Sequence, residues 1–401
     1  MGCHNSKEAE EARGMSAAGG SRRRLSVGPG MNPMDVGVVV EVCTEEERIA
    51  LKNIEAEHLE HLVEAYAGPK GQVFSIASVT ESKAESMSFK DKKREVMQTK
   101  AGELKTTTMG FTCRKGLKPE MPNQDSWLML KVETKTAKPF ALYGVFDGHG
   151  QQGHEISAFV QTLLPKMLIK EQEFIDCLGK KDEDDTMKRV LESVFKRLQE
   201  FVSIANRARG MEASSSGTTC TIAVHDVSLN TVHIANVADS TGVIGVEKGR
   251  EWHVDVVTRD HKPELEDERA RILRSGGRVV FDGYANHRIY AKDGKYPGLN
   301  MSRCFGDLLG HECGCVATPE VYTCTLTRSH KLLLLCSDGV WEFIPPDEAL
   351  SLVKKYLASS RRATAQEAAD KLAQEAWDRW IKEEDGQVVD DITVMLIQLG
   401  R

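Results

Sequence analysis

The apolar run Phe140-Ala141-Leu142-Tyr143-Gly144-Val145 leads straight into Phe146-Asp147-Gly148-His149-Gly150. A run of that length bounded by turn formers predicts a buried strand, and the glycines predict that the chain turns where it ends. Asp147 then stands at the end of a sheet, where a carboxylate is exposed. On this stretch alone an ordinary Asp-Gly turn is the favoured explanation of the residues. Three further apolar runs weigh against it: Val232 to Val237 precedes Asp239, Leu332 to Leu335 precedes Asp338-Gly339, and Val388-Val389 precedes Asp390-Asp391. Four carboxylates delivered by four strands to one end of a sheet would hold hard divalent cations, which take oxygen ligands.

The 401 residues suffice for one large domain with extensions, and 40% hydrophobic content is ordinary for a globular protein. Lys+Arg 53 against Asp+Glu 60 gives a net charge of -7, which attracts no polyanion, so nucleic acid is not an expected partner. The ten cysteines are scattered, and the close pair Cys313 and Cys315 has neither zinc-finger nor redox-motif spacing. They are expected to be reduced core residues. No apolar run approaches ~18 residues and no secretory segment follows Met1, so the expected compartment is intracellular.

Met1-Gly2-Cys3-His4-Asn5-Ser6 fits N-myristoylation of Gly2, with Cys3 a candidate for S-palmitoylation. A chance Met-Gly start is the alternative. One acyl chain binds a membrane only marginally, so Cys3 or the adjacent Arg22-Arg23-Arg24 would make anchoring to the cytoplasmic face stable. Ser26, after Arg23-Arg24-Leu25, is a candidate phosphosite whose charge would weaken that anchoring; a plain solvated tail explains it equally well. Residues 1–43 are expected to be a flexible, lipidated segment. Thr44-Glu45-Glu46-Glu47 predicts a capped helix over 44–67, carrying Leu51, Ile54, Leu62 and Tyr66 and ended by Gly68-Pro69, that docks on the catalytic domain or on a partner. The polar stretch 68–101 reads as a linker.

From 102 to 401 the pattern becomes dense. Strands are predicted around Phe111 and Leu128, then amphipathic helices near 153–170 and 184–209. Closely spaced, antiparallel strands follow at Thr219 to Val227, Val232 to Val237 and Gly242 to Val246. Helices near 346–357 and 364–384 precede a final strand, Ile392 to Leu399. Runs of strands bracketed by helix pairs specify an α+β fold of antiparallel sheets covered by helices.

Over residues 102–400 the chain resembles the type 2C, metal-dependent (PPM) Ser/Thr protein phosphatases. The resemblance rests on Val145-Phe146-Asp147-Gly148-His149-Gly150, Ser216-Gly217-Thr218-Thr219, Asn236-Val237-Ala238-Asp239-Ser240 and Asp260-His261-Lys262-Pro263, followed by Glu268, Arg271, Ile272 and Gly276-Gly277. It continues through Gly298-Leu299, Ser302-Arg303, Phe305-Gly306-Asp307, Cys336-Ser337-Asp338-Gly339-Val340-Trp341 and Asp390-Asp391-Ile392-Thr393. It implies a four-layer αββα sandwich with two central antiparallel sheets flanked by helix pairs. It also implies two Mn²⁺ or Mg²⁺ ions: Asp147 bridges both, the Gly148 carbonyl binds one, and Asp338 and Asp390 bind the other. Asp239 matches a position that, with Asp338, can hold a weaker third ion. In such a site a metal-bridging hydroxide attacks phosphoserine or phosphothreonine directly, and His149 is the candidate general acid for the departing oxygen.

Three departures from the family pattern bear on activity. Lys118 stands where well-known members carry a phosphate-gripping Arg, with Arg114 and Lys115 as alternative cations. Gln124, in Asn123-Gln124-Asp125, replaces a Glu, leaving Asp125, with Asp391, to act behind the metal ligands. Glu342 stands where many members have Asp. The segment 282–297 corresponds to a variable flap that helps choose substrates. The leading expectation is an active, monomeric phosphoprotein phosphatase tethered to a membrane surface. A pseudophosphatase scaffold is the competitor, kept open by Lys118 and Gln124, and a small-phosphoester phosphatase or nuclease is a third reading.

Overall fold

The computed structural model describes residues 42–68, 72–77, 87–91, 97–100, 108–118, 121–135 and 137–399. Gly2, Cys3 and Ser26 lie outside them. Two antiparallel sheets stack face to face. The first has nine strands, ordered Glu320–Thr325, Thr231–Val237, Cys220–Asp226, Phe140–His149, Asp125–Glu133, Gln72–Ala77 and Met97–Lys100, with Gly217–Thr218 and Phe305–Gly306 joined beside Phe140–His149. The second has five: Glu251–Val257, Thr241–Lys248, His330–Cys336, Ile392–Gln398 and Met109–Arg114.

The continuous apolar runs of the sequence arise because the central strands of both sheets are buried on both faces. Along Asp125–Glu133, Leu128 and Leu130 join the core under the helices, while Trp127 and Met129 face the second sheet. Leu332 and Leu334 likewise meet the outer helices, and Leu333 and Leu335 fill the space between sheets. Phe111 of the second sheet stacks on Trp127 of the first with ring centroids 4.1 Å apart. Helices Gly153–Lys170 and Asp184–Arg209 cover one outer face, and Pro346–Ser359 and Ala365–Glu383 the other. This is the four-layer αββα sandwich expected from the sequence.

Local chemistry sets the helix ends. Thr44 and Glu47 form a capping box, as do Thr364 and Glu367, and Gly210 closes Asp184–Arg209 in the left-handed conformation. Among the described residues no helix is long and apolar enough to cross a membrane.

The structure corrects several expectations. The single helix over 44–67 is two, Glu45–Ala56 and Leu59–Ala67, because Glu57 takes an extended conformation between them. Both pack on the sandwich: Leu51, Ile54, Val63 and Ala67 are buried in the same core as Phe140 and Leu163. Lys166 donates to the carbonyls of Ile54 and Glu55, and Arg207 pairs with Glu47 at 2.6 Å. Ile54→Ala is therefore expected to cost about 2–4 kcal/mol in chemical denaturation, the penalty of a core cavity. A loosely docked helix would show almost none.

The stretch 68–101 is more than a linker. Gln72–Ala77 pairs with Asp125–Glu133 and Met97–Lys100 pairs with Gln72–Ala77, extending the first sheet; the backbone of a polar strand satisfies a sheet edge as well as an apolar one does. Thr241–Lys248 belongs to the second sheet, not beside Thr231–Val237, since Ala238 (φ 76°) turns the chain from one sheet to the other. Asp390 and Asp391 precede the strand Ile392–Gln398 instead of ending one. Within the segment read as a flap, part of a third, three-stranded sheet forms, Gly277–Phe281, His287–Ala291 and Pro297–Leu299, with Phe281 and Tyr284 exposed at its tip.

Candidate active site

Asp147 and Asp125 occupy directly opposed positions on adjacent strands, so their side chains share one face of the sheet. The main chain of Asp147 is clamped: its N–H reaches Thr219 Oγ1 at 2.9 Å, and its carbonyl accepts from the Thr219 N–H and the Thr218 hydroxyl. Thr219 also hydrogen-bonds Ser240, tying this strand end to the Asp239 corner. Gly148 follows with backbone from Gln124 and Gly153 so close that any Cβ would collide with their carbonyls.

The corner carrying Asp239 holds Ala238 in the left-handed region, which a side-chain-bearing residue adopts only under constraint. His261 supplies that constraint, its ring nitrogen accepting from the Ala238 N–H at 3.1 Å and its own N–H donating to the Ala238 carbonyl at 3.0 Å. The neighbouring Lys262 pairs with Asp239, and Asp260 accepts from Thr241. The Asp260-His261-Lys262 segment thus braces the corner that presents Asp239.

From the second sheet, Ser337 donates to Asp125 Oδ2 at 2.8 Å and Thr393 to the same oxygen at 2.6 Å. Asp338 begins the short helix that follows Ser337, and Gly339 is required because the Asp391 carbonyl lies where a Cβ would project. Asp391 spends both carboxylate oxygens on the N–H groups of Gly116 and Gln124, at 2.7 and 2.8 Å. It is a staple for two loops. Asp390, beside it, pairs with Lys118.

The electrostatics describe a site built for a cation. Burial and the charges of Asp125, Asp338 and Asp390 push the Asp147 carboxyl well above the ordinary carboxylate range. Burial first, and Asp391 second, push Asp125 up to about 8, against the hydrogen bonds from Thr393 and Ser337. Asp125 Oδ1 is buried with no hydrogen-bond partner. Opposed like charges on adjacent strands repel, and an orphaned carboxylate oxygen beside them is satisfied by a hard cation or its water. The donor set is all oxygen, which suits Mg²⁺ or Mn²⁺. Asp390 pairs with Lys118 and Asp239 with Lys262, and among the described residues Asp147, Asp338 and Asp390 do not all lie within 4.8 Å of one another.

His149 lies on the other side of Asp147 and hydrogen-bonds Asp307 through Nε2. Burial alone would push the imidazole down; the Asp307 carboxylate, with Asp239 and Asp338, outweighs it and holds the pKa above its ordinary value. Asp307 was visible in the sequence only as part of a motif, and the structure gives it this partner. The roles of Thr218, Thr219, Ser337 and Thr393 were likewise not read, since nothing in a hydroxyl's position along the chain shows which carboxylate it will meet.

Two cations fall elsewhere than expected. Arg114 is not at the carboxylates: it lies over the Phe89 ring, 4.5 Å from the centroid, and reaches Asp370 at 3.4 Å, because its strand directs it toward the outer helices. Lys115 is buried and donates to the Lys118 carbonyl at 2.8 Å. Lys118 carries its charge to Asp390. Gln124 donates its side-chain amide to the Gly150 carbonyl at 2.7 Å, holding the glycine turn after His149.

The family model described as protein phosphatase 2C matches residues 110–384. The chain belongs to the protein phosphatase 2C family. A probable protein phosphatase 2C 61 of Arabidopsis thaliana is 33% identical over 264 residues, covering 65% of this chain and 76% of that protein. The human integrin-linked kinase-associated serine/threonine phosphatase 2C is 29% identical, covering 72% of this chain and 71% of its own length. The fold matches the crystal structure of a serine-threonine phosphatase 2C from Toxoplasma gondii with a TM-score of 0.60 at 22% identity, covering 72% of this chain and 94% of that one. This protein phosphatase 2C is accordingly a metal-dependent Ser/Thr protein phosphatase acting on phosphorylated proteins.

Proposed function

We propose that this phosphatase acts through two Mn²⁺ or Mg²⁺ ions, held by Asp147, the Gly148 carbonyl, Asp338 and Asp390, with Asp239 available to a weaker third. The observation that carries this reading is the opposed pair Asp125, buried, and Asp147, half-buried, with Asp125 Oδ1 unpartnered. Bound there, the ions would supply a deprotonated water for direct attack and neutralise the phosphoryl oxygens. Lys118, drawn from Asp390 as the ions enter, would face the incoming phosphate as a point charge without a bidentate fork. His149, oriented by Asp307, would protonate the departing serine or threonine oxygen. Asp391 holds the two loops through the N–H groups of Gly116 and Gln124, and Asp125, with Oδ1 unpartnered, would act through ordered water.

The full chain is expected to hydrolyse a phosphothreonine peptide with Mn²⁺ or Mg²⁺ and to stop when chelator is added. Turnover unaffected by chelator would sink the metal assignment. A folded chain that turns over with neither ion would point to a phosphoprotein-binding scaffold. His149→Ala should lower turnover of the peptide by about 10²-fold, yet spare an aryl phosphate whose phenolate leaves without a proton. Equal losses on both substrates would exclude His149 as the general acid.

The N-terminal sequence supports a further assignment: Gly2 is myristoylated, with Cys3 palmitoylated, and the monomeric enzyme sits on the cytoplasmic face of a membrane. Labelled myristate should enter the wild type and not Gly2→Ala; equal labelling would rule the anchor out.

A further inference from the structure

Behind His149 lies a second cluster of metal-binding side chains that the phosphatase reading does not use. The Sγ atoms of Cys304 and Cys315 are 3.3 Å apart, and one ring nitrogen of His311 lies within 4.8 Å of both. Both thiols are buried, at 0% and 1% exposure, while His311 is only partly covered and opens the cluster to solvent. Cys304 Sγ is also 3.2 Å from Asp307 Oδ2, the oxygen that holds His149. Asp307 is fully buried, and its other carboxylate oxygen, Oδ1, has no hydrogen-bond partner.

We propose that Cys304, Cys315 and His311 form a site for a thiophilic divalent cation such as Zn²⁺, with water in the fourth position; Asp307 borders the site through Cys304. Two sulfurs and an imidazole, with an open position for water, suit tetrahedral zinc and differ in kind from the all-oxygen site at Asp147. With Zn–S bonds of about 2.3 Å, tetrahedral geometry separates two sulfurs by roughly 3.8 Å, so the thiols part by only about half an ångström. Each thiol gives its proton to solvent as it becomes a thiolate ligand, so affinity rises with pH. Burial holds His311 below its ordinary pKa, in the neutral form that ligates. The residues come from the strand end at Phe305–Gly306 and from the helix Leu308–Glu312 and the turn after it, which fold back on each other through the Cys315 N–H to Gly310 carbonyl bond at 2.9 Å.

A cation bound to Cys304 takes away the thiol beside Asp307 Oδ2 and sets a charge next to the oxygen that holds His149, weakening that bond. The site is then inhibitory, a consequence that rests on the general-acid role of His149, whereas the binding itself does not. The experiment uses the reduced full chain with Mg²⁺ in excess, titrated with Cd²⁺ as a spectroscopic stand-in for Zn²⁺. One Cd²⁺ per chain should produce a thiolate-to-metal charge-transfer band, which oxygen ligands cannot give. Cys315→Ala and Cys304→Ala should lose the band, and Cys324→Ala should keep it. In the unaltered protein, Zn²⁺ should protect Cys304 and Cys315 from alkylation as read by mass spectrometry, a result that needs no variant to fold. No band, a band unchanged in Cys315→Ala, or no protection overturns the site. Low Zn²⁺ should slow phosphopeptide turnover in the wild type and not in Cys315→Ala; equal slowing in both, with the band intact, leaves the site standing and overturns its link to His149.

Discussion

Asp147→Asn is expected to lower phosphopeptide turnover by about 10³-fold or more while leaving the protein folded. A cation that neutralises developing phosphoryl charge contributes several kcal/mol at the transition state, and each 1.36 kcal/mol is tenfold in rate. Asp147 is the carboxylate closest in register to Asp125 and the one pushed upward by burial and by three neighbouring carboxylates. In chelator, without the ions, its charge therefore opposes folding, and Asn removes a like charge directly facing Asp125, a gain of up to about 1 kcal/mol. Activity and stability should move in opposite directions. Thermal melts in chelator beside turnover with Mn²⁺ read both. A variant that is inactive and also less stable in chelator would mean that Asp147 serves the fold and not a cation.

Glu268→Ala should cost about 3–5 kcal/mol of stability, the penalty for breaking a buried ion pair and leaving its partners uncompensated. Glu268 is 0% exposed, and its carboxylate takes Arg271 Nη1 and Nη2 at 2.9 and 2.7 Å, Arg303 Nη2 at 2.6 Å, and the Ser302 hydroxyl. Burial by itself would raise its pKa, but these donors prevail and hold it at about 2. The folded value lies below the unfolded one, so this stabilisation is complete above about pH 4.5 and fades as pH falls toward 2. Denaturation from pH 7 to pH 2.5 should show wild type and Glu268→Ala converging at the acid end. Parallel curves would mean that the carboxylate contributes through packing alone. Because Ser302-Arg303 leads directly to Phe305-Gly306-Asp307, the variant should also lose turnover through a displaced Asp307.

Runs such as Leu332 to Leu335 and Val232 to Val237 were legible because burial on both faces keeps a strand mostly apolar, with His233 and Asn236 as buried exceptions, and the capping residues Thr44 and Thr364 because their side chains act within three residues. The strand Glu251–Val257 was legible too, with Trp252, Val254 and Val256 alternating with polar residues, and went unread because its solvated face breaks the apolar run. The carboxylates were found because strand ends announce themselves by turn residues. What they meet was not, because Ser337 and Thr393 reach Asp125 from the other sheet. Arg114 shows the same limit: its charge suggested phosphate, and the pleat of its strand sent it to Asp370. Cys304, His311 and Cys315 lack zinc-finger spacing and come together only by the fold.

The second sheet pairs Met109–Arg114 with Ile392–Gln398 and sets the latter in its interior, between Met109–Arg114 and His330–Cys336. A ribosome therefore releases the first of these strands long before its partner exists. Until then Met109–Arg114 has an unmet edge, and neither Asp390 nor Thr393 has reached Asp125 and its neighbours. Contacts between such distant segments slow folding, because the intervening chain must be closed before any of them forms. The carboxylate site is therefore whole only once the strand carrying Thr393 has paired between Met109–Arg114 and His330–Cys336, two strands made before it.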